Sequence, residues 1–332
     1  MFSVSIKNEN VFLNFLNSGD TDYVDVYLHD TTATLIMNTS DLFSIITMPC
    51  THTPNETSHG FRTARSILKQ QKRATAFSVR FTEDSDVKVS FFAGTELLCD
   101  ATFTYQKVYS TNYQDKLQLL RNEAVPSGVS LDKLAPLIKL STALGGVINI
   151  ESGVISVILQ SGIRIYEKTK YTGILCMSPK YAQTLRKCDS TIFSIENYIG
   201  AFKDDFAVLA NKLRVSSNAE FFSLDQARAQ YKAKIDFTNL VAYSSSHPMK
   251  IANFTIDLDK QQCTFMEDET TFKIPIGITD EVRAQSDKVH ELIVPFSLIR
   301  TILSGLGSTT VLFEKKQFFH KMTIGNYIIL YN

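Results

Sequence analysis

The chain has 332 residues, of which 44% are hydrophobic and 20% charged, a composition that is ordinary for a soluble protein of two or three domains. Its 34 basic and 34 acidic residues cancel, which argues against a protein that coats nucleic acid indiscriminately but allows charge to be segregated by face. No apolar run approaches the roughly 18 to 20 residues of a membrane span, and no basic-then-apolar leader occurs. We therefore expect a cytoplasmic protein with no membrane partner.

The five cysteines are odd in number, lie far apart and include no CxxC pair. They are Cys50, Cys99, Cys176, Cys188 and Cys263. No histidine stands at metal-ligand spacing from any of them. We predict buried, reduced thiols in a reducing compartment, with no metal and no cofactor.

A repeated pattern runs along the chain. Each unit starts at a polar residue or proline, continues as a short amphipathic helix, and passes through a small polar turn into alternating strands. Six units start near residues 8, 60, 130, 179, 236 and 295, which gives a period of about 55. The predicted helices are 7–18, 59–73, 130–140, 179–188, 236–250 and 295–306.

Local signals mark the ends of several of these helices. The first helix has an apolar face, formed by Val11, Phe12, Phe15 and Leu16. The third takes Ser130 as its N-cap and ends at Gly145 and Gly146. Pro179 and Pro295 stand at the start of the fourth and sixth, where proline is preorganised and loses no hydrogen bond.

The segments between the helices alternate apolar and polar residues, so each unit is predicted to be one helix with three or four antiparallel strands. One such unit cannot bury both its helix and its sheet, and we expect units to pair into α+β domains with the helices on one side. This predicts three domains, 1–108, 109–232 and 233–332, with linkers at 113–128 and 228–234.

The six predicted helices share an excess of positive charge. They hold 75 residues and a formal charge of +10 in a chain whose total is zero, although half of the excess comes from 59–73. If the helices lie on one surface, that surface attracts a polyanion without reading its sequence. The candidate DNA-binding residues are Arg62, Arg65, Lys69, Lys72, Arg73, Lys133, Lys139, Lys180, Arg186, Lys187 and Arg300.

Catalytic signatures are missing from the sequence. It contains no GxxxxGK, GxGxxG, HExxH or GxSxG motif, and its six histidines form no ligand-spaced pair. The glycines at 305–308 and 144–146 fit helix ends better than phosphate-binding loops. We do not expect an enzyme.

The repeats resemble those of the DNA sliding clamps, the bacterial β-type polymerase processivity factors. Residues 160–168, QSGIRIYEK, are similar to a clamp strand end that forms part of a partner pocket, and 179–188 and 295–306 resemble helices that open second half-domains. The chain closes on a strand, MTIGNYIILYN, without the family's usual methionine and proline pattern. The distance from the bacterial pattern suggests a viral or divergent clamp, for example a phage protein in the bacterial cytoplasm.

The resemblance implies a DNA-clamp fold of three tandem domains, each a pair of β-α-β-β-β units. It also implies a ring-forming, head-to-tail homodimer that encircles duplex DNA of any sequence and binds a DNA polymerase and a clamp loader. Their peptides would enter an outer-face pocket between the second and third domains. The implied pocket residues are Gly162, Arg164, Ile165, Tyr171, Ile329 and Leu330.

Two other functions remain open from the sequence. A monomeric processivity factor that grips DNA from one side needs the same positive surface but no ring. A β-rich structural or assembly protein needs neither DNA nor a ring, and its helices should show mixed charge. For Ile165, Ile329 and Leu330, plain core packing is as good an interpretation as a pocket.

Overall fold

The structure is a computed structural model of the chain. It describes residues 1–29, 31–53, 59–69, 73–82, 84–108, 122, 125–159, 163–170, 173–189, 191–195, 197–203, 205–214, 226–246, 253–257, 260–267, 269–283, 291–295, 303, 309–317 and 319–331. Within these ranges no helix is both long and apolar enough to cross a membrane.

Short helices alternate with runs of strands along the described chain. The helices are α1 (Glu9–Ser18), α2 (Arg65–Lys69), α3 (Ala135–Leu144), α4 (Pro179–Cys188) and α5 (Thr238–Ser246). The strands are β1 (Phe2–Ser5), β2 (Tyr23–Leu28), β3 (Thr32–Asn38), β4 (Leu42–His52), β5 (His59–Ala64), β6 (Ala76–Phe81), β7 (Asp86–Ala93), β8 (Glu96–Thr104), β9 (Val125–Ser130), β10 (Gly146–Glu151), β11 (Val154–Leu159), β12 (Arg164–Lys168), β13 (Leu175–Met177), β14 (Thr191–Ile195), β15 (Tyr198–Lys203), β16 (Phe206–Asn211), β17 (Tyr231–Asp236), β18 (Asn253–Asp257), β19 (Gln262–Glu267), β20 (Thr270–Pro275), β21 (Gly277–Arg283), β22 (Glu291–Pro295), β23 (Thr310–Lys315), β24 (His320–Ile324) and β25 (Tyr327–Tyr331).

The element order confirms the repeat. Five times in succession a strand is followed by one helix and three strands, starting at β1, β5, β9, β13 and β17. The sixth repeat has β21 and β22 before the position of its predicted helix and β23 to β25 after it. Most of its predicted helix, 296–302 and 304–306, lies outside the described residues, while Leu303 is buried and Pro295 ends β22.

Neighbouring repeats exchange the last strand before the helix position. In repeats 1 and 2, β1 pairs with β6 while β5 pairs with β2. In repeats 3 and 4, β9 pairs with β14 while β13 pairs with β10. In repeats 5 and 6, β17 pairs with β23 while β22 pairs with β18. Each repeat therefore completes a sheet of its neighbour, which explains why a single repeat cannot bury its own apolar surface.

The chain divides into two compact units. Unit 1 comprises Met1–Asp132 and Lys180–Lys212, and unit 2 comprises Lys133–Pro179 and Leu213–Asn332. Unit 1 contains a twelve-stranded antiparallel sheet, whose path runs β8-β7-β6-β1-β4-β16-β15-β14-β9 with β3, β2 and β5 branching from β4. Unit 2 contains a nine-stranded sheet, β13-β10-β11-β12-β25-β24-β23-β17-β21, and a four-stranded sheet, β20-β19-β18-β22. The three-domain division stays a prediction.

Helix α1 shows how local sequence sets one repeat. Asn8 caps it, because its side-chain oxygen accepts a hydrogen bond from the Val11 amide at 3.2 Å. Phe12, Phe15 and Leu16 are buried as predicted. The Phe15 ring meets that of Phe206 on β16 edge-on, with centroids 6.1 Å apart, so α1 packs on the Phe206 face of the unit 1 sheet.

Other predicted helix boundaries need correction. Residues 59–64 form β5, because Phe61 and Thr63 point into the core with a period of two; of the described residues of this predicted helix, Arg65–Lys69 are helical, and 70–72 lie outside the described residues. The third helix starts at Ala135, since Ser130 still pairs in β9, but it ends as predicted at Gly145, whose φ is 67°. The fourth is confirmed, and the fifth begins at Thr238 because Asp236 belongs to β17.

The two predicted linkers also contain strand residues. Strand β9, Val125–Ser130, overlaps the end of the first predicted linker, 113–128. Residues 113–121, 123 and 124 of that linker lie outside the described residues. In the second, β17 begins at Tyr231 and pairs with both β23 and β21. Alternation of Tyr231, Ala233 and Ile235, which are all buried, is the signal for this strand.

Candidate nucleic-acid interface

Two helices of unit 1 hold most of the positive charge of the described helices. Helices α2 and α4 contain no carboxylate and five cations, which are Arg65, Lys69, Lys180, Arg186 and Lys187. By contrast, α1 has only Glu9, α3 has only Lys139, and α5 has no charged residue. The described helices therefore hold six cations and one carboxylate, a smaller excess than the +10 predicted for the longer segments, and most of it lies in unit 1.

Two of these cations meet the C-terminal end of α1. Arg65 donates from Nη1 to the carbonyl oxygen of Gly19, and Lys187 donates from Nζ to the carbonyl oxygen of Asn17 at 3.2 Å. Because α1 has no basic residue in its last turn, these side chains supply donors to carbonyls that the helix end leaves unpaired. Asn14 of α1 returns a hydrogen bond to the carbonyl of Lys187 at 3.1 Å. Arg65 and Lys187 thus tie α2 and α4 to α1.

Two further cations form exposed ion pairs. Lys180 pairs with Asp20, and Arg186 Nε lies 2.7 Å from Asp132 Oδ1. All four side chains keep at least 44% of their surface exposed, and such pairs contribute about 0 to 1 kcal/mol. A phosphate can therefore compete for either cation at little cost in stability.

Lys69 lies among other cations. Burial lowers the pKa of its ammonium group, and the nearby positive charges of Arg65 and Lys187 lower it further. Within the described residues Lys69 has no ion pair. The mutual repulsion of these three groups is a free-energy cost that a bound anion relieves.

Arg62, a predicted DNA-binding residue, lies elsewhere. It belongs to β5, and its guanidinium binds both carboxylate oxygens of Asp25 at 2.6 and 3.0 Å, which raises its pKa. Residues in register share a sheet face, so Asp25 lies on the same face as Ile36 and Ile45. The next residue of β4, Ile46, points to the opposite face, which it shares with Phe206 and therefore with α1. Arg62 therefore lies on the sheet face opposite α1. We leave it out of the basic surface, a name used from here on for the cations of α2 and α4, which are Arg65, Lys69, Lys180, Arg186 and Lys187.

The other predicted cations are scattered. Arg73 is exposed in the turn after α2, Lys133 is exposed in the turn before α3, and Lys139 is exposed on α3. Lys72 and Arg300 lie outside the described residues. Sequence reasoning missed Lys203, an exposed cation at the end of β15 that lines the same concavity as Arg186 and Lys187. It was missed because charge was counted on helices alone.

The residues predicted for a partner pocket meet where β12 pairs with β25 in unit 2. Arg164 is in register with Leu330, and Ile165 with Ile329. Adjacent residues of a strand point to opposite faces, so Arg164 and Leu330 share one face and the two isoleucines share the other. Ile165 and Ile329 are fully buried, and we correct their role to support of the sheet from its other side. Gly162 and Tyr171 lie outside the described residues.

The Arg164 face combines an apolar cluster with charge. Val154, Tyr166 and Leu330 form a buried cluster, against which Phe319 and Ile328 pack while partly exposed. Across the sheet the row continues from Leu330 to Lys321 and Glu314. The Glu314 carboxylate lies 3.2 Å from Lys321 Nζ and 3.5 Å from Lys316 Nζ, and all three side chains are at most 12% exposed.

Reactive groups of other kinds give no competing site in the described part of the chain. No three His, Cys, Asp or Glu side chains converge there as a metal would require. Four of the five cysteines are buried and Cys99 is half-buried. Burial raises the pKa of the Cys188 thiol to about 12, and its Sγ donates to the carbonyls of Ala201 and Phe206, so the thiol is inert.

Comparison with known proteins finds likeness in structure and none in sequence. No protein-family model and no curated protein matches the chain. The DNA polymerase III subunit beta of Pseudomonas aeruginosa superposes with a TM-score of 0.70 at 9% identity over 99% of both chains. That of Borrelia burgdorferi gives 0.68 at 9% identity, over 99% of this chain and 97% of its own. A DNA polymerase sliding clamp from Pseudomonas aeruginosa gives 0.67 at 9% identity, over 99% and 98%.

The chain has the sliding-clamp fold. This confirms the fold that the sequence resemblance predicted, with helices and mostly antiparallel sheets in the order of the clamps. The likeness covers the whole length of the solved clamps as well as of this chain, so it involves the complete set of repeats.

Proposed function

We propose that the protein is a DNA sliding clamp, a polymerase processivity factor without catalytic activity of its own. The observation that carries this proposal is the match of the clamp fold over 99% of the chain and 97 to 99% of the solved clamps. A single shared domain occurs in proteins of many functions, but a match that extends over all the repeats of the solved clamps favours the same function. The cations of α2 and α4 support it, because a clamp needs a positive surface towards DNA.

The basic surface holds DNA through its backbone. Lys69, Lys180, Arg186 and Lys187 offer ammonium and guanidinium groups to phosphates, and none of them needs a particular base. Contacts of this kind are individually weak and exchange with water and salt, so the protein can slide. Lys133 and Lys139 of unit 2 add a smaller contribution to phosphate binding. Arg73, Lys72 and Arg300 remain predicted phosphate contacts.

Retention on DNA requires a closed ring, and we infer that two copies join head to tail. In the described topology β8 ends the unit 1 sheet and β20 ends the four-stranded sheet of unit 2. An unpaired strand edge is a template for another chain. Leu97 on β8 is 52% exposed in a single copy, and Met266 on β19, next to β20, is 68% exposed. Large apolar side chains exposed near both edges are expected if a second copy covers those edges. Pairing β8 of one copy with β20 of the other, twice, closes a two-fold ring.

The Arg164 face offers a docking place for the polymerase and the clamp loader. Its apolar cluster has partly exposed members, Phe319 and Ile328, beside the charged side chain of Arg164. A partner peptide can insert an apolar side chain against the cluster while a polar or acidic group meets the guanidinium. The same face would serve several partners in turn.

The decisive experiment separates a ring from a one-sided DNA-binding factor. The protein is loaded on a nicked circular duplex by its loader, and retention is measured at rising salt before and after the circle is cut. A ring stays on the circle and slides off the cut ends, whereas a one-sided factor is equally retained on both. A β-rich assembly protein binds neither. Equal retention, or a monomer in native mass measurement, would remove the ring.

A further inference from the structure

A concavity of about 320 Å³ opens between α1, the C-terminal end of α4 and the end of β15. Asn14 and Phe206 form part of its wall, and its charged lining includes Arg186, Lys187 and Lys203. All of these residues belong to unit 1. Lys203 lies on a strand, so the concavity joins a cation of the sheet to the cations of α4.

The charges in this concavity are unequally engaged. Arg186 is held by Asp132 at 2.7 Å, and the Asp189 carboxylate accepts the backbone amide of Thr191 at 2.9 Å. Lys187 gives one donor to the carbonyl of Asn17 and keeps two. Among the residues that the structure describes, neither Lys187 nor Lys203 forms an ion pair. Three cations and two carboxylates leave the concavity positive.

We propose that this concavity binds a backbone phosphate of duplex DNA, with Lys187 and Lys203 as its ligands and with Asp132 limiting the affinity by competing for Arg186. The proposal rests on the proposed DNA-binding function and adds to it a named phosphate site. Ammonium groups bind phosphate oxygens through short, charge-assisted hydrogen bonds. A guanidinium can do so with two parallel bonds, but the Nε donor of Arg186 is already taken by Asp132.

The Asp132 carboxylate therefore weakens the site in two ways. It takes the Nε donor of Arg186 and offsets the positive charge of that guanidinium, and its own charge repels the phosphate. Since Asp132 and Arg186 are both about half exposed, their pair can open without disturbing the fold. A phosphate held in this way is released easily, as sliding requires.

The first test removes a ligand. Binding of a short duplex is measured by fluorescence anisotropy over a salt series, with Lys203→Gln compared with Lys234→Gln, an exposed lysine of β17 in unit 2. We expect Lys203→Gln to lower the affinity about threefold to tenfold and to reduce the salt slope by about 1, as for one lost phosphate contact. Lys234→Gln should change neither. Equal behaviour of the two variants would overturn the site.

The second test removes the competitor. Asp132→Asn should raise the affinity about threefold, whereas Asp84→Asn, the same change of charge at an exposed position between β6 and β7, should have no effect. Unchanged or weaker binding by Asp132→Asn would overturn the role given to Asp132. A third test adds inorganic phosphate or chloride at equal ionic strength to the protein–duplex complex. Phosphate should displace the duplex more than chloride does, and this difference should be larger in the wild type than in Lys203→Gln. An equal difference in both proteins would also overturn the site.

These outcomes are distinguishable from failure of the proposed function. A double variant, Lys69→Glu with Lys187→Glu, reverses two charges of the basic surface. If it abolishes DNA binding while Lys203→Gln has no effect, the concavity is not the phosphate site but the basic surface still binds DNA. If neither variant changes binding, DNA binding by this surface is wrong, and the phosphate site falls with it.

Discussion

Two strand junctions of this chain are built on one plan and differ in what covers them. In unit 1, β4 of repeat 1 pairs with β16 of repeat 4, and in unit 2, β12 of repeat 3 pairs with β25 of repeat 6. On one face of the first lies a cluster of seven buried residues, which includes Phe43, Ile45 and Leu209, and the charges beside it are the Arg62–Asp25 pair, 39% and 19% exposed. On one face of the second, the cluster among the described residues comprises Val154, Tyr166 and Leu330, next to Arg164 and to the more deeply buried Lys321–Glu314 pair, 12% and 10% exposed.

We infer from this difference that the two junctions have different roles. A large uncharged cluster stabilises a junction because burial of apolar surface contributes about 25 cal/mol per Å². Both clusters have partly exposed apolar neighbours, but only at the second do those neighbours, Phe319 and Ile328, lie on the same face as Arg164 and a buried ion pair. We therefore expect the β4–β16 junction to act mainly in stability, and the β12–β25 junction, which is held partly by buried charge, to be the one that binds a partner.

The largest effect should come from the buried charges of the second junction. Glu314→Gln removes the carboxylate that faces both Lys316 and Lys321 and leaves their ammonium groups without it in a site at most 12% exposed. We expect a loss of about 3 to 5 kcal/mol in local stability. Hydrogen exchange of the β23 and β24 amides measures it.

The control for that prediction is Asp100→Asn, which breaks the exposed Lys88–Asp100 pair of unit 1. It should cost no more than about 1 kcal/mol. If Glu314→Gln also costs this little, charge does not stabilise the second junction and the contrast between the junctions is lost.

A smaller effect is expected from the apolar cluster of the first junction. Leu209→Ala deletes a side chain that is 2% exposed and should cost about 2 to 4 kcal/mol in the protection of β4 and β16 amides. Leu97→Ala, at a leucine that is 52% exposed, is the matched control and should cost far less in the monomer. Partner binding to unit 2 should be unchanged in both variants, and a weakened partner affinity in Leu209→Ala would show that the first junction also binds.

Much of this fold follows from periodicity. The buried face of α1, the boundaries of α4 and the alternating strands were predictable because each signal is local, such as Phe12 and Phe15 three apart or Pro179 at a first turn. Strand β5 was missed although Phe61 and Thr63 alternate, because the basic residues around them resembled a helix surface. Six residues are too few for period alone to decide.

The candidate sites were less predictable, because they depend on register. Nothing local shows that Arg62 points away from α1 while Lys203, on a strand, lines a concavity with Lys187. The pairing of Arg164 with Leu330 joins residues far apart in the chain, and only the register separates them from the buried Ile165 and Ile329. A shift of one residue would exchange their faces.

The smallest predicted effect tests whether the second junction binds a partner. Arg164→Gln removes a charge at the edge of the apolar cluster and should weaken binding of a peptide from the cognate polymerase about threefold to tenfold, without changing the protection of β12 amides. Lys139→Gln removes an exposed charge of the same sign from α3 in the same unit, outside the β12–β25 junction, and should leave peptide affinity unchanged. Isothermal titration calorimetry on both variants separates a local contact from a general loss of positive charge. Equal weakening would mean that the peptide senses only net charge, and the Arg164 face would lose its claim to be the docking site.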